Sequence, residues 1–163
     1  MAKPNRLSTI AGKLMGLPHF IRTTAMSKAF GNVIKYAGHS GIRFEELTNT
    51  SCVVSIRNKK KVQNHIGGVH AAAMALLAET ATGFVFGMNV PDDKLPVIKN
   101  MDIDYVKRST GDMRAKASLT QEQIDLIQST EKGEVTVPVT VTDEAGVEPI
   151  IARMTWAWTS KKR

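Results

Sequence analysis

Asn64, His70 and Glu79 are the residues whose types and spacing could do chemistry. They lie in the stretch NHIGGVHAAAMALLAETATGFVFGMN, residues 64–89, where a Gly67-Gly68 turn leads into a segment of helical length. From 71 to 86 the only ionisable side chain is Glu79. A helix that is apolar on all sides is normally buried on all sides, and glutamate is almost never fully buried without a partner. Ala75, Leu76, Thr82 and Gly83, three and four residues away, offer no cation. The expectation is a carboxylate held mid-helix in the core, with its pKa pushed up by desolvation, as suits a general base near neutral pH. Direct attack on an acyl carbon to form an anhydride is the alternative use of the same group.

The start of that helix supplies free backbone N–H groups and positive dipole charge, which favour an oxyanion developing on a carbonyl such as that of a thioester. Ala71 N–H is the best-placed donor just inside the helix, and the Asn64 amide could orient the carbonyl or a water. Glu79, two turns on, reaches the same space if a second subunit closes it from the far side. His70 reads either as a helix cap or as a group that holds the substrate. His19, His39 and His65 show no metal-ligand spacing with Cys52 or a carboxylate, so no metal is expected. No G-x-S-x-G elbow is present for a Ser-His-Asp hydrolase.

These residues need elements to position them. Leu7, Ile10, Ala11 and Leu14 place a helix over 7–16, and Phe20, Ile21, Met26, Phe30, Val33, Ile34 and Ala37 place a second over 19–37. From Gly41 the period changes to two, and 42–47 with 52–57 reads as an antiparallel hairpin before the central helix. After a loop at 91–94, strands are expected at 98–106, 115–119, 135–141 and 150–158, with a short surface helix at 121–130. Pro138 indicates an edge or a bulge in the third of these. Lys161, Lys162 and Arg163 read as an unstructured tail. One antiparallel sheet wrapped round one helix accounts for both the apolar helix and the alternating strands.

The chain of 163 residues suits a single domain, with residues 1–38 as a helical N-terminal extension and 41–159 as the core. One cysteine excludes an internal disulfide and points to a reducing, cytoplasmic setting. Seven basic residues precede the first acid, Glu45, so the whole net charge of +7 lies in the first 44 positions. That pattern reads as a solvated helical face, with membrane contact or an organelle-targeting segment as the sharper alternatives. No nucleic-acid-binding module is visible, and none is expected as a partner.

Asn64-x5-His70 followed by a carboxylate nine residues later resembles the hotdog-fold thioesterases of the phenylacetate-pathway, hydroxybenzoyl-CoA and medium- to long-chain acyl-CoA types. YVKRSTGDMRAKASL, 105–119, is similar to their strand that leaves the site and turns at a glycine, and the order of strands and helix matches over 41–159. The N-terminal helices resemble those of an uncharacterised branch of that superfamily. The resemblance implies an α+β hotdog fold and an acyl-CoA thioesterase, a thioester hydrolase whose coenzyme A is part of the substrate, with no separate cofactor. It implies that Ala71 stands in for the oxyanion-hole glycine, Glu79 is acid/base or nucleophile, Asn64 is a polar helper and His70 helps hold the thioester carbonyl. Gly68 would line the substrate. Two departures are visible: His70-Ala71-Ala72 replaces His-Gly-Gly, and Glu79 replaces the usual Asp. Related enzymes bring a Ser or Thr across the dimer from the strand near 98–101, where Asn100 is the neutral polar residue here. The resemblance further implies a homodimer, or a dimer of dimers, with helices paired or sheets joined edge to edge. Lys107, Arg108 and Arg114 would then pair with the coenzyme A phosphates. Dehydratases of this fold are set aside because their His-Phe-Pro-Gly signature is missing. The reading from a different class is a non-catalytic hotdog module that binds acyl-CoA or another acyl ligand, with the basic N-terminal helices as a docking surface.

Overall fold

Asn5 starts the first helix and also pins it to the rest of the chain. In the computed structural model, which describes residues 4–161, α1 (Arg6–Met15) opens with a capping box between Asn5 and Ser8. The Asn5 Nδ2 donates to Gly87 O at 2.7 Å and Val90 O at 2.6 Å, satisfying carbonyls at the end of the central helix. Lys162 and Arg163 of the expected tail lie outside the described residues.

The single helix expected over 19–37 is two: α2 (His19–Val33) and α3 (Lys35–Ser40), broken at Ile34. The chain folds back there until backbone meets backbone. A Cβ on Gly38 would sit 2.4 Å from Gly31 O, so only glycine permits the contact. Periodicity carries no trace of such a crossing.

β1 (Arg43–Leu47) and β2 (Ser51–Ile56) form the expected antiparallel hairpin, with Glu45 as an extra residue in β1. A 3-10 turn at Lys60–Val62 leads to α4 (Ala71–Gly87), the central helix. Beyond it come β3 (Lys94–Tyr105), β4 (Met113–Ser118), α5 (Gln121–Ser129), β5 (Gly133–Val137), β6 (Val139–Asp143) and β7 (Ile150–Ser160). β3 begins four residues earlier than alternation predicts. It pairs only with β7, and an edge strand tolerates Pro96 because its free side needs no N–H. Pro138 divides the expected strand 135–141 into β5, which pairs with β7, and β6, which pairs with β4. The strands thus form two antiparallel sheets, β1-β2-β4-β6 and β3-β7-β5, rather than the single sheet expected, because Pro138 passes the chain from one to the other and β6 lies beside β7 without ladder pairing.

α4 packs against both sheets, on β2, β4 and β6 of one and β7 of the other. Leu77, Ala78, Ala81, Val85 and Phe86 share one core with Val54, Ala115, Met154 and Trp158. Phe30 of α2, Phe44 of β1 and Phe84 of α4 meet with ring centroids 4.5–5.1 Å apart, which fastens the N-terminal helices to the core. The result is the α+β hotdog fold with an N-terminal helical extension. No helix among the described residues is long and apolar enough to cross a membrane.

One further expectation is corrected. α4 is not enclosed on all sides: Ala71 and Ala72 are exposed, and Ala75, Leu76, Glu79, Gly83 and Gly87 are half-buried. The sheets cover only part of the helix, and the stripe through 79, 83 and 87 faces a groove.

A candidate active site along the central helix

The groove has a volume of about 610 Å³ and an almost wholly apolar lining. Leu7 and Ile10 of α1 and Phe30 and Val33 of α2 form one wall, and Pro96 and Trp156 of the β3–β7 edge form the other. Glu79, Gly83 and Gly87 run along its floor. Trp156 lies directly on the helix backbone: a Cβ on Gly83 would be 2.7 Å from its Cζ2. Its buried Nε1–H donates to Thr82 Oγ1 at 2.9 Å, which holds the ring in place.

The Glu79 carboxylate has no hydrogen-bond or ion-pair partner among the described residues; only its backbone O accepts from a side chain, the Thr82 hydroxyl. Burial against the apolar walls raises its pKa above the ordinary carboxylate value, since the charged form loses hydration. Thr80, the next residue, is buried and lines the same groove, and its Oγ1 has no partner among the described residues. Nothing in the sequence singles out Thr80, because a threonine in an apolar helix carries no distinguishing spacing.

At the start of α4 the backbone donors have different fates. His70 is the N-cap, and its Nδ1 accepts from Ala72 N–H at 3.0 Å. That bond assigns the ring proton to Nε2. His70 O accepts from the N–H groups of Ala73 and Met74. Ala71 N–H is left without an acceptor among the described residues. Asn64 closes the preceding turn, with Oδ1 accepting from Ile66 N–H and Gly68 N–H, each at 3.1 Å. Gly68 O in turn accepts from Asn64 N–H. Tyr105, at the end of β3, donates its hydroxyl to Ala71 O at 2.9 Å, which sets the aromatic ring over the helix start. Burial raises the Tyr105 pKa. Its position here was not legible as a site feature, because it depends on the register of β3 on β7.

The helix itself separates the two candidate groups. Ala71 and Glu79 are eight residues apart, which at 1.5 Å per residue is about 12 Å along the axis. One chain does not bring its own Ala71 N–H and its own Glu79 carboxylate to one atom.

Four other expected residues are distributed differently. Asn100 stands opposite Thr155, on the sheet face turned away from α4. A bulge between Ile98 and Asn100 inserts one residue, and the extra residue turns Met101 rather than Asn100 towards the helix. Arg114 lies on the outer face of β4 with its Nε 2.8 Å from Glu45 Oε2, so it is tied to β1 and not to the helix start. Lys107 and Arg108 are exposed in the loop after β3, which reaches Gly68 through Ser109. Among the described residues no group of three His, Cys, Asp or Glu is placed to hold a metal.

The domain of unknown function DUF4442 matches residues 22–159 of this chain. The chain belongs to the DUF4442 family. Among solved structures, this DUF4442 protein is similar to the genomics protein APC5556, at 25% identity and a TM-score of 0.76, over 96% of this chain and 100% of that one. It is also similar to the Pseudomonas aeruginosa protein PA5026, a protein of unknown function described as a probable thioesterase. That likeness has 24% identity and a TM-score of 0.76, over 89% of this chain and 97% of that one. The thioesterase HI1161 from Haemophilus influenzae shares 14% identity at a TM-score of 0.63, over 77% of this chain and 82% of that one. These likenesses establish the shared hotdog fold. Among curated proteins, none matches the sequence.

Proposed function

We propose that this DUF4442 protein is an acyl-CoA thioesterase whose acyl chain lies in the α4 groove and whose general base is Glu79. The observation that carries the reading is a lone, half-buried carboxylate on the floor of an apolar groove of about 610 Å³. An apolar groove of that size takes an aliphatic or aromatic acyl group, and the carboxylate is the one ionisable side chain among its described lining residues. The thioesterase names of structures sharing this fold support the same class of reaction.

In this reading two chains complete the site, because Ala71 and Glu79 of one chain lie about 12 Å apart along α4. β3 is a bare edge with Leu95, Val97, Met101, Tyr105 and Val106 exposed in or beside it, and such an edge invites pairing with another strand. A two-fold homodimer built on that edge sets Glu79 of one protomer opposite Ala71 N–H of its partner. Glu79 then takes a proton from water as the water oxygen bonds to the thioester carbon. The carbonyl electron pair moves to oxygen and is held by Ala71 N–H at the positive end of the helix. Collapse of this adduct breaks the C–S bond, and the sulfur leaves with the proton from Glu79, giving the carboxylic acid and coenzyme A.

The test is coenzyme A release from saturated and aromatic acyl-CoAs of graded size. Turnover that rises with chain length until the groove is filled supports the reading. Tight acyl-CoA binding with no release from any of them leaves a non-catalytic acyl-binding module.

A further inference from the structure

A second concavity, of about 300 Å³, lies where α2, β1 and the segment after β2 meet, and its lining is basic. Arg43, Arg57, Lys59 and Lys61 face it, together with Thr24 and Ser40, and no acid lines it. None of the four cations is in a salt bridge among the described residues, whereas Lys99, Arg114 and Arg153 each are. Of the neighbouring acids, Glu45 is hydrogen-bonded to Arg114 and also lies in the field of Arg43, and Asp112 accepts from the Asn58 backbone N–H. Lys61 Nζ donates to His39 O at 2.7 Å, which fixes its head at the rim and leaves two donors over. Four like charges gathered in a hollow repel one another, and an anion with several oxygens relieves that repulsion.

The segment that carries these charges is bound to the start of α4. Val62 O, next to Lys61, accepts from His70 N–H at 2.8 Å, and Asn58 Nδ2 donates to Gly67 O at 3.0 Å. The segment that carries Arg57, Lys59 and Lys61 is thus joined to the start of α4, and α2 contributes to both the hollow and the apolar groove.

We propose that this hollow binds the phosphate groups at the nucleotide end of coenzyme A, with Arg43, Arg57, Lys59 and Lys61 as the phosphate ligands that select coenzyme A as the acyl carrier. This inference rests on the thioesterase reading for its substrate. A concave site fits the compact phosphates of a nucleotide, while the acidic face of a carrier protein is convex and broad. Guanidinium groups supply paired N–H donors to phosphate oxygens, and the lysines add point charge. The assignment replaces Arg114 as a phosphate ligand, because Arg114 is held by Glu45.

The test uses the whole chain and the double variant Arg57→Gln with Lys59→Gln, with matching thermal melts as the check on folding. Calorimetry with adenosine 3′,5′-bisphosphate should give binding to the parent that weakens at least ten-fold in the variant, with inorganic phosphate bound far more weakly than the nucleotide. KM for acyl-CoA should rise at least ten-fold, while S-acyl pantetheine, which carries no nucleotide phosphate, gives the same kcat/KM with both proteins. Equal bisphosphate binding by parent and variant overturns the proposal, and so does an equal rise in KM for both thioesters. A variant that loses only turnover of an acyl carrier protein thioester also overturns it. If neither thioester is hydrolysed yet bisphosphate binding still depends on Arg57 and Lys59, the phosphate site stands and the catalytic reading falls.

Discussion

Replacing Gly83 by alanine places a methyl group where the Trp156 ring already lies. The new Cβ would be 2.7 Å from Cζ2 and 2.8 Å from Cη2, close to an ångström inside the ordinary carbon contact of about 3.5–4.0 Å. Trp156 cannot simply swing aside, because its Nε1–H is bound to Thr82 and its ring packs 5.6 Å from Phe86. Overpacking of this kind costs about 1–3 kcal/mol, and the gain from alanine over glycine inside a helix is about 0.8–1.0 kcal/mol. The clash wins, and the net loss is about 1 kcal/mol. Gly12, in the exposed part of α1, is the matched control, since a Cβ there meets nothing within 4 Å. Gly12→Ala should stabilise the protein by about 0.5–1 kcal/mol from the same propensity term. Urea unfolding followed by tryptophan fluorescence reads both. The midpoint moves down for Gly83→Ala and up for Gly12→Ala, with the slope unchanged. A Gly83→Ala protein as stable as its parent would refute the claim that Trp156 is held rigidly on the helix as the groove wall.

Other outcomes follow from the same geometry. Thr82→Val keeps the shape but strands the buried Trp156 N–H, which should cost about 1–3 kcal/mol by denaturant titration; a loss below about 0.5 kcal/mol would show that the bond is dispensable. For Glu79, burial raises the folded-state pKa above the unfolded value, so the native state holds more protons in the window between them and stability falls as pH rises through it. Glu79→Gln should therefore unfold at higher urea than the parent near neutral pH, and the advantage should vanish below the ordinary carboxylate pKa of about 4.3. Val97→Lys places a charge on the bare β3 edge, and sedimentation should show a folded monomer with no turnover; a fully active dimer would move the interface elsewhere.

Much of this architecture is legible in the sequence, and the parts that are not have identifiable causes. Apolar composition over 71–86 marks the central helix and isolates Glu79, because an unpartnered carboxylate there needs an explanation. The same composition could not distinguish a helix enclosed by core from one flanking a groove, since both demand apolar neighbours. Period-two alternation places the strands, but the one-residue bulge before Asn100 reverses which side it faces. The break at Ile34 depends on a backbone contact between Gly31 and Gly38, and the fate of Arg114 depends on Glu45, 69 residues away. The basic hollow draws on residues from Thr24 to Lys61, which only the packing of α2 on β1 brings together.

The most direct test of the account is kcat/KM for coenzyme A release from the preferred acyl-CoA, compared between the parent protein and Glu79→Gln, with circular dichroism confirming the fold of both. A direct coenzyme A readout avoids interference from Cys52. A general base contributes about 10²–10⁴-fold, so the account predicts a fall of at least a hundred-fold with the dimer intact. Hydrolysis that persists in Glu79→Gln at more than a tenth of the parent rate would contradict it and move the chemistry to another group.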